Sequence, residues 1–460
     1  MKKVYIETYG CWLNKADSSI IIQSFLSRGY RLTNSVEDSE IVVLNTCAVR
    51  EDSEIRQLKR MRYLYQKYPD KTYIIAGCLA KVKISEILRI FNNRCVIVDP
   101  NNVENFDKII EDIEKGVFNI YLSNDRKMEI LPEYNPDIHG HIHVVPLQVG
   151  CLCSCTFCVT KFARDVKGKV KSYPIDKIVE NVKKAVERGA REIYLTGQDV
   201  ACYGFDRGVT LVDLLERILR EVEGVYYIRI GMSEPEAFSK IVDQLLDIVK
   251  NDDRIYKYFH LPVQSGSDRV LERMRRKYTV DEYRELIRKI RREIPECTIV
   301  TDIIVGFPGE TDEDFELSIK LVEELEFDKV HVARFSLRPF TEAELMPDKI
   351  PDPIKKERSR KLVEVCNRVS LRRNMKFIGK TFKGIVSTPE VKGSGCVVRI
   401  HNYKPVIVKN IDRKYLSSIV DVYIKDANYI NLIGDVNSIV LPPSVLPKIE
   451  TSEILVEDAS

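Results

Sequence analysis

Residues 143–168 read HVVPLQVGCLCSCTFCVTKFARDVKG, a short β-rich run followed by Cys151-x3-Cys155-x2-Cys158. Three thiolates at this spacing on one loop can hold three irons of a 4Fe–4S cube, leaving the fourth iron open to chelate a substrate or cofactor. The spacing alone also admits a zinc site, completed by Cys153 or by one of His139, His141 and His143, or cysteines that bind nothing. Working outward, six strand candidates begin here, at 143–148, 191–196, 226–231, 256–262, 298–305 and 329–336. Helical stretches such as 175–189, 236–250, 279–293 and 311–325 separate them. Six βα units predict an incomplete (β/α) barrel, with its chemistry at the C-terminal ends of the strands, where this cysteine loop falls.

Upstream, Lys3–Thr8, Glu40–Asn45, Lys71–Ala76 and Cys95–Val98 alternate with helical runs, among them Ser18–Ser27 with Asp17 as its expected cap, and Ser53–Lys67. This pattern predicts a parallel α/β sheet over residues 1–118. Residues 119–141, rich in Asn, Pro, Gly and His, read as a linker to the barrel domain, 142–376. From about 377 the pattern changes to FKGIVST, CVVRIH, KPVIVKN and VDVYIK, which predicts a small β-barrel over 377–440, followed by an acidic tail, 441–460. Three further cysteines, Cys11, Cys47 and Cys78, each end a strand of the first domain. Carboxyl ends of parallel strands share one edge, so the three thiols could hold a second cluster; buried cysteine in the core is the alternative.

The net charge of +3 conceals a separation: residues 371–440 carry 12 Lys and Arg against 5 Asp and Glu. A basic terminal module suits a polyanion, or simply a solvated face. The N-terminus passes straight into a strand, with no signal-like core and no apolar run of membrane length, so a cytoplasmic protein without membrane contact is expected. Twelve cysteines in such a chain point to metal or chemistry rather than disulfides.

The segment VGCLCSCTFCVTKFARDVKG resembles the radical S-adenosylmethionine (SAM) superfamily, including the aromatic Phe157 before the last cysteine. The resemblance implies that SAM binds the open iron and is split to a 5′-deoxyadenosyl radical. Strand-end residues that could shape the SAM pocket are Gln198 in LTGQ, Ser233 and Glu234 in GMSEP, Gln264 in HLPVQSGS, and Gly306 in DIIVGFPGET. TYGCWLNKADS, LNTCAVREDSE, IAGCLAK, HLPVQSGSDRVLERMRRKYT and TDIIVGFPGETDEDF further resemble the methylthiotransferase family over roughly residues 1–437, with the final barrel similar to its TRAM domain.

That resemblance implies two 4Fe–4S clusters, one on Cys151, Cys155 and Cys158 and an auxiliary one on Cys11, Cys47 and Cys78, with Cys153 left over. It implies SAM in two roles, methylating a sulfide on the auxiliary cluster and supplying the radical that opens a substrate C–H bond. TYGCWLNKADS and GMSEP look most like the archaeal and eukaryotic enzymes that act on C2 of N6-threonylcarbamoyladenosine at tRNA position 37. The family's enzymes for isopentenyladenosine are the alternative, and an iron–sulfur electron-transfer or sensor protein is the competing class. Implied partners are a tRNA anticodon stem-loop, a flavodoxin- or ferredoxin-type reductant and a sulfur donor, with the protein a monomer. One departure stands out: where the family reads Arg-Pro-Gly-Thr, this chain reads Arg338-Pro339-Phe340-Thr341.

Overall fold

The structure, a computed structural model, describes residues 2–167, 169–391 and 393–445, so most of the acidic tail lies outside the described residues. Its first sheet is built from apolar runs that are buried on both faces, as central parallel strands require. The strands are β1 (Lys3–Thr8), β2 (Arg31–Leu32), β3 (Ile41–Thr46), β4 (Thr72–Gly77), β5 (Cys95–Val98) and β6 (Ile120–Tyr121). All pair in parallel in the order β2-β1-β3-β4-β5-β6. The chain steps to one side of β1 and then back to the other, so the switch point lies between β1 and β3, where open α/β sheets bind ligands. Cys11 and Cys47 follow those two strands directly, and Cys78 follows β4.

The second unit carries β7 (Ile142–Pro146), β8 (Gln148–Gly150), β9 (Val170–Ser172), β10 (Glu192–Thr196), β11 (Tyr227–Ile230), β12 (Tyr258–His260), β13 (Thr298–Val305) and β14 (Lys329–Arg334). Parallel triplets β7-β10-β11 and β12-β13-β14 meet edge to edge, where Tyr256 N–H donates to Ile228 O at 3.0 Å and Ser233 N–H to His260 O at 2.9 Å. The result is the expected half-open barrel of six parallel strands in chain order. Ile193, Leu195, Ile228, Ile230, Phe259, Ile299 and Ile303 pack outward against the helices as one core. The alternating set, including Tyr194, Arg229, Tyr258, Asp302 and His331, faces the lumen. Strands β8 and β9 form an antiparallel ribbon, Gln148 opposite Ser172 and Gly150 opposite Val170, and the cysteine loop is the excursion between them.

Two expectations are corrected. Residues 119–141 are not a plain linker: β6 completes the first sheet, and Arg126 is fully buried between the two units. Asp17 does not cap a helix; the helix begins at Trp12 after Cys11, and Asp17 lies inside it as the buried partner of Arg126 and Arg164 at 2.8 and 2.6 Å. The three histidines each have a partner of their own. His139 ends a short helix and touches Ser19, while His141 meets Glu192 and His143 meets Asn181.

After the long helix Asp352–Met375, strands β15 (Thr381–Pro389), β16 (Cys396–Ile400), β17 (Pro405–Val408), β18 (Ile419–Ala427) and β19 (Leu432–Leu441) close a five-stranded barrel in the order β15-β16-β17-β19-β18. It seats against the half-barrel through Tyr403, whose hydroxyl donates to Tyr194 Oη at 2.9 Å, and through Asp328. Buried Asp328 accepts from Arg291 at 2.6 Å, Lys404 at 2.8 Å and Arg373 at 3.3 Å. Burial alone would raise its carboxyl, but Lys404, Arg291 and Arg373 hold it far below the usual carboxylate range. Asp328→Asn should therefore destabilise this joint by about 3 kcal/mol, since three cations lose a buried counter-charge. The check is a lowered first transition in urea, together with earlier proteolysis between 376 and 381. No helix among the described residues is long and apolar enough to cross a membrane.

Candidate active site

The first cysteine triad sits on the sheet edge that the strand ends define. Gly10 takes φ +93°, and a Cβ there would stand 2.6 Å from Cys47 Cβ and 2.7 Å from its Sγ, so only glycine lets the backbone lie against this thiol. Cys47 N–H donates to Gln57 Oε1 at 2.9 Å, fixing the loop after β3. Cys47 and Cys78 are buried while Cys11 is exposed, which leaves the group open on one side. Burial pushes the Cys47 thiol up to about 12, and proximity of Cys11 and Cys78 adds to the shift. Burial likewise raises Cys78, while the Arg164 charge opposes the rise.

Arg164 comes from the other unit, six residues past Cys158. Its Nη2 donates to Asn14 Oδ1 and Asp17 Oδ2, both at 2.6 Å, and it faces Cys78 and Cys11. Its Nη1 is buried without a hydrogen-bond partner among the described residues. Three convergent thiols, an orphaned buried guanidinium N–H and a side open to solvent suit an anionic cluster held by three thiolates; nothing in this donor set opposes it.

The second triad occupies the 151–158 loop. Gln198 Oε1 accepts from Gly150 N–H at 2.6 Å and so holds the turn that launches the loop. Cys155 Sγ accepts from Arg276 Nη1 at 3.2 Å, and Arg276 Nη2 pairs with Glu234 Oε1 at 3.1 Å. Thr156 N–H and Oγ1 donate to Met274 O and Arg273 O, and Phe157 meets Phe307 edge to face at 6.3 Å. Residues 273–276 thus support the loop from beneath.

A cavity of about 220 Å³ opens beside this triad, lined by Leu152, Cys153, Asp199, Glu234, Glu236 and Lys277 among others. Of the five strand-end residues expected to shape a SAM pocket, Glu234 lines it. Ser233 is buried next to it with an unpartnered hydroxyl among the described residues. Gly306 instead gives its N–H to Glu310 at 2.5 Å and presses its Cα against Lys355, so it shapes the strand end. Gln264, at φ +77°, bridges Asp302 and Ile304 through its backbone. Asp199 was not singled out from the sequence, although it adjoins Gln198. Burial, with the nearby Glu234 charge, raises its carboxyl to about 7, while Oδ1 accepts from Glu234 N–H at 2.9 Å. Its Oδ2 has no partner among the described residues, which suits a cationic ligand group.

Also unforeseen is a luminal set below the triads: His260 Nε2 lies 2.9 Å from Asp302 Oδ1, and His331 stacks edge-on to His260 at 5.5 Å. Burial takes His331 down to about 3, so the lumen holds it neutral. Trp12, next to Cys11, enters the same lumen and meets Tyr194 at 4.6 Å. The first unit therefore closes the open side of the half-barrel and brings its triad to the barrel mouth.

Residues 145–322 match the Radical SAM superfamily, and residues 3–99 match the uncharacterized protein family UPF0004. The chain is 38% identical over 422 residues to a probable threonylcarbamoyladenosine tRNA methylthiotransferase of Pyrococcus horikoshii, covering 89% of this chain and 94% of that one. A protein of the same description from Archaeoglobus fulgidus is 37% identical over 439 residues, or 94% and 98% of the two chains. A tRNA-2-methylthio-N(6)-dimethylallyladenosine synthase of Pelotomaculum thermopropionicum is 32% identical over 450 residues, or 94% and 97%. Among solved structures, the radical S-adenosylmethionine methyltransferase TsrM of Kitasatospora setae aligns with a TM-score of 0.54 at 11% identity, covering 75% of each chain, and so shares the fold alone.

Proposed function

The chain belongs to the tRNA methylthiotransferases of the radical SAM superfamily, and we propose that it inserts a methylthio group at C2 of N6-threonylcarbamoyladenosine at tRNA position 37, beside the anticodon. Its superfamily implies a 4Fe–4S cluster and SAM as cofactors, and a tRNA is its substrate. In our reading Cys151, Cys155 and Cys158 hold that cluster, and Cys11, Cys47 and Cys78 hold a second one. When bound, the clusters and SAM supply the carbon-centred radical and the sulfur that no side chain can.

The protein's own residues do the rest. Gln198 and Arg276 hold the 151–158 loop in place. Glu234 and Asp199 offer carboxylates to the positive groups of SAM, burial having raised that of Asp199. Arg164 offsets negative charge at the first triad, and His260 and His331 line the way for the base. The observation that carries the reading is Arg164: six residues beyond one triad, it ends against the other, so both stand over one mouth. Two triads in one space are what joining one sulfur both to a methyl group and to a substrate carbon requires.

The basic β-barrel suits the phosphate backbone of the stem-loop. A flavodoxin- or ferredoxin-type reductant, a sulfur donor, a monomeric state and a cytoplasmic setting complete the proposal. Mass spectrometry of tRNA nucleosides from cells lacking the gene tests it. We expect 2-methylthio-N6-threonylcarbamoyladenosine to disappear and its unthiolated parent to accumulate. Its persistence, with loss of methylthiolated isopentenyladenosine instead, would move the substrate to that base.

A further inference from the structure

The loop after β14 carries an aromatic ring in a place that resists one. Phe340 has φ +66°, in the left-handed region that a bulky residue enters only at a cost. A strained aromatic persists when its surroundings fix it, and these do. Arg338 Nη1 pairs with Glu54 Oε2 at 2.6 Å, anchoring the loop to the helix that follows Cys47. Thr341 Oγ1 donates to Arg338 O at 2.7 Å, and Ala343 N–H donates to Thr156 O, between Cys155 and Phe157, at 2.9 Å. The loop is thus pinned to the segments of both triads.

Within it, the Phe340 ring stacks on Phe162 with centroids 4.1 Å apart and planes 19° from parallel. Phe162 rides the short helix Thr160–Ala163 after Cys158, which packs on the helix after Cys78, and Lys81 Nζ lies 5.7 Å from its centroid. Phe340 nevertheless remains 63% exposed, so its second face looks to solvent at the mouth. An ordered, exposed ring on an aromatic support is how proteins hold unstacked bases of single-stranded RNA.

We infer that Phe340 is a specificity-determining residue whose outer face stacks a nucleobase of the tRNA anticodon loop flanking the target adenosine. This rests on the tRNA reading above. Stacking of one base would present the neighbouring adenosine to the lumen, and it would give this chain a loop contact that a glycine at the same position could not make.

The test uses the full-length protein and a synthetic anticodon stem-loop carrying N6-threonylcarbamoyladenosine, with affinity read by fluorescence anisotropy at fixed salt. Phe340→Ala should weaken binding by roughly 5- to 100-fold, and Phe340→Trp should keep it. Phe340→Gly should also lose affinity while melting no lower than the parent, because glycine accepts the left-handed φ, which separates lost stacking from lost folding. An abasic site at the flanking nucleotide should cost the parent the same factor and cost Phe340→Ala nothing further. Equal affinity for the parent and Phe340→Ala, or losses that simply multiply, would overturn the inference while leaving the tRNA reading standing. A parent protein that neither binds nor modifies the stem-loop would overturn both.

Discussion

Cys47→Ala combined with Cys78→Ala should leave SAM cleavage running while methylthiolation stops; Cys151→Ala should stop both. The first pair removes two of three thiols on the α/β edge and leaves the 151–158 loop, Arg276 and the Asp199–Glu234 cavity untouched. Deoxyadenosine should therefore still form after anaerobic reduction with SAM, although no methylthio product appears. Loss of the sulfur-carrying cluster in the one variant, or of the radical source in the other, lowers methylthiolation by more than roughly 10³-fold, since no side chain offers a slower version of either. Iron should fall by about half in the double variant and in Cys151→Ala alike, if each triad holds one four-iron cluster. Deoxyadenosine formation by Cys151→Ala, or full iron retention by the double variant, would refute the assignment of the triads. Both cysteine sites are small, so folding can be followed independently by the thermal transition of the cluster-free protein.

The parts legible in the sequence are those that depend on chain-local patterns. Cys151-x3-Cys155-x2-Cys158 lies on one loop, so its spacing speaks for itself. Cys11, Cys47 and Cys78 are far apart in the chain, yet each ends a strand, and a parallel sheet turns that common position into proximity. The half-barrel and the closing β-barrel followed from the same alternation of short strands with helices or with turn residues.

What stayed hidden depends on side chains crossing between units. Asp17 precedes a helical run and so reads locally as a cap; its partners are 109 and 147 residues away. Arg126 sits in a polar stretch that resembles a linker, and only the assembled fold shows it fully buried. His260, Asp302 and His331 lie on three successive strands, one residue each, and no motif joins them. Asp199 belongs to no motif of its own, and only the folded turn directs Gln198 to Gly150 and Asp199 to the cavity.

The charges that Asp17 joins make its removal the largest stability effect expected of a single change. Arg126 donates from Nη1 to Asp17 Oδ1 at 2.8 Å and from Nη2 to Tyr173 Oη at 3.2 Å, and its Nε pairs with Glu104 at 3.2 Å. Arg164 completes the set through Asp17 Oδ2, and every member of this group is buried. Two guanidiniums and two carboxylates balance. Asp17→Ala leaves an uncompensated positive charge in the interface between the units, which costs about 3–5 kcal/mol. The second change, Arg126→Met, restores neutrality between Arg164 and Glu104. The double variant should accordingly lose less than the sum of the two single losses, by an interaction of about 1–3 kcal/mol. Urea unfolding of the cluster-free protein, scored on its first transition because several units unfold, measures all three. Strict additivity would mean that the network does not act as a unit. Because Asp17 also orients Arg164, the same variant should alter the electronic spectrum of the cluster at Cys11, Cys47 and Cys78 while leaving that of the 151–158 cluster unchanged. One carboxylate would then tie the stability of the interface to the chemistry at its edge.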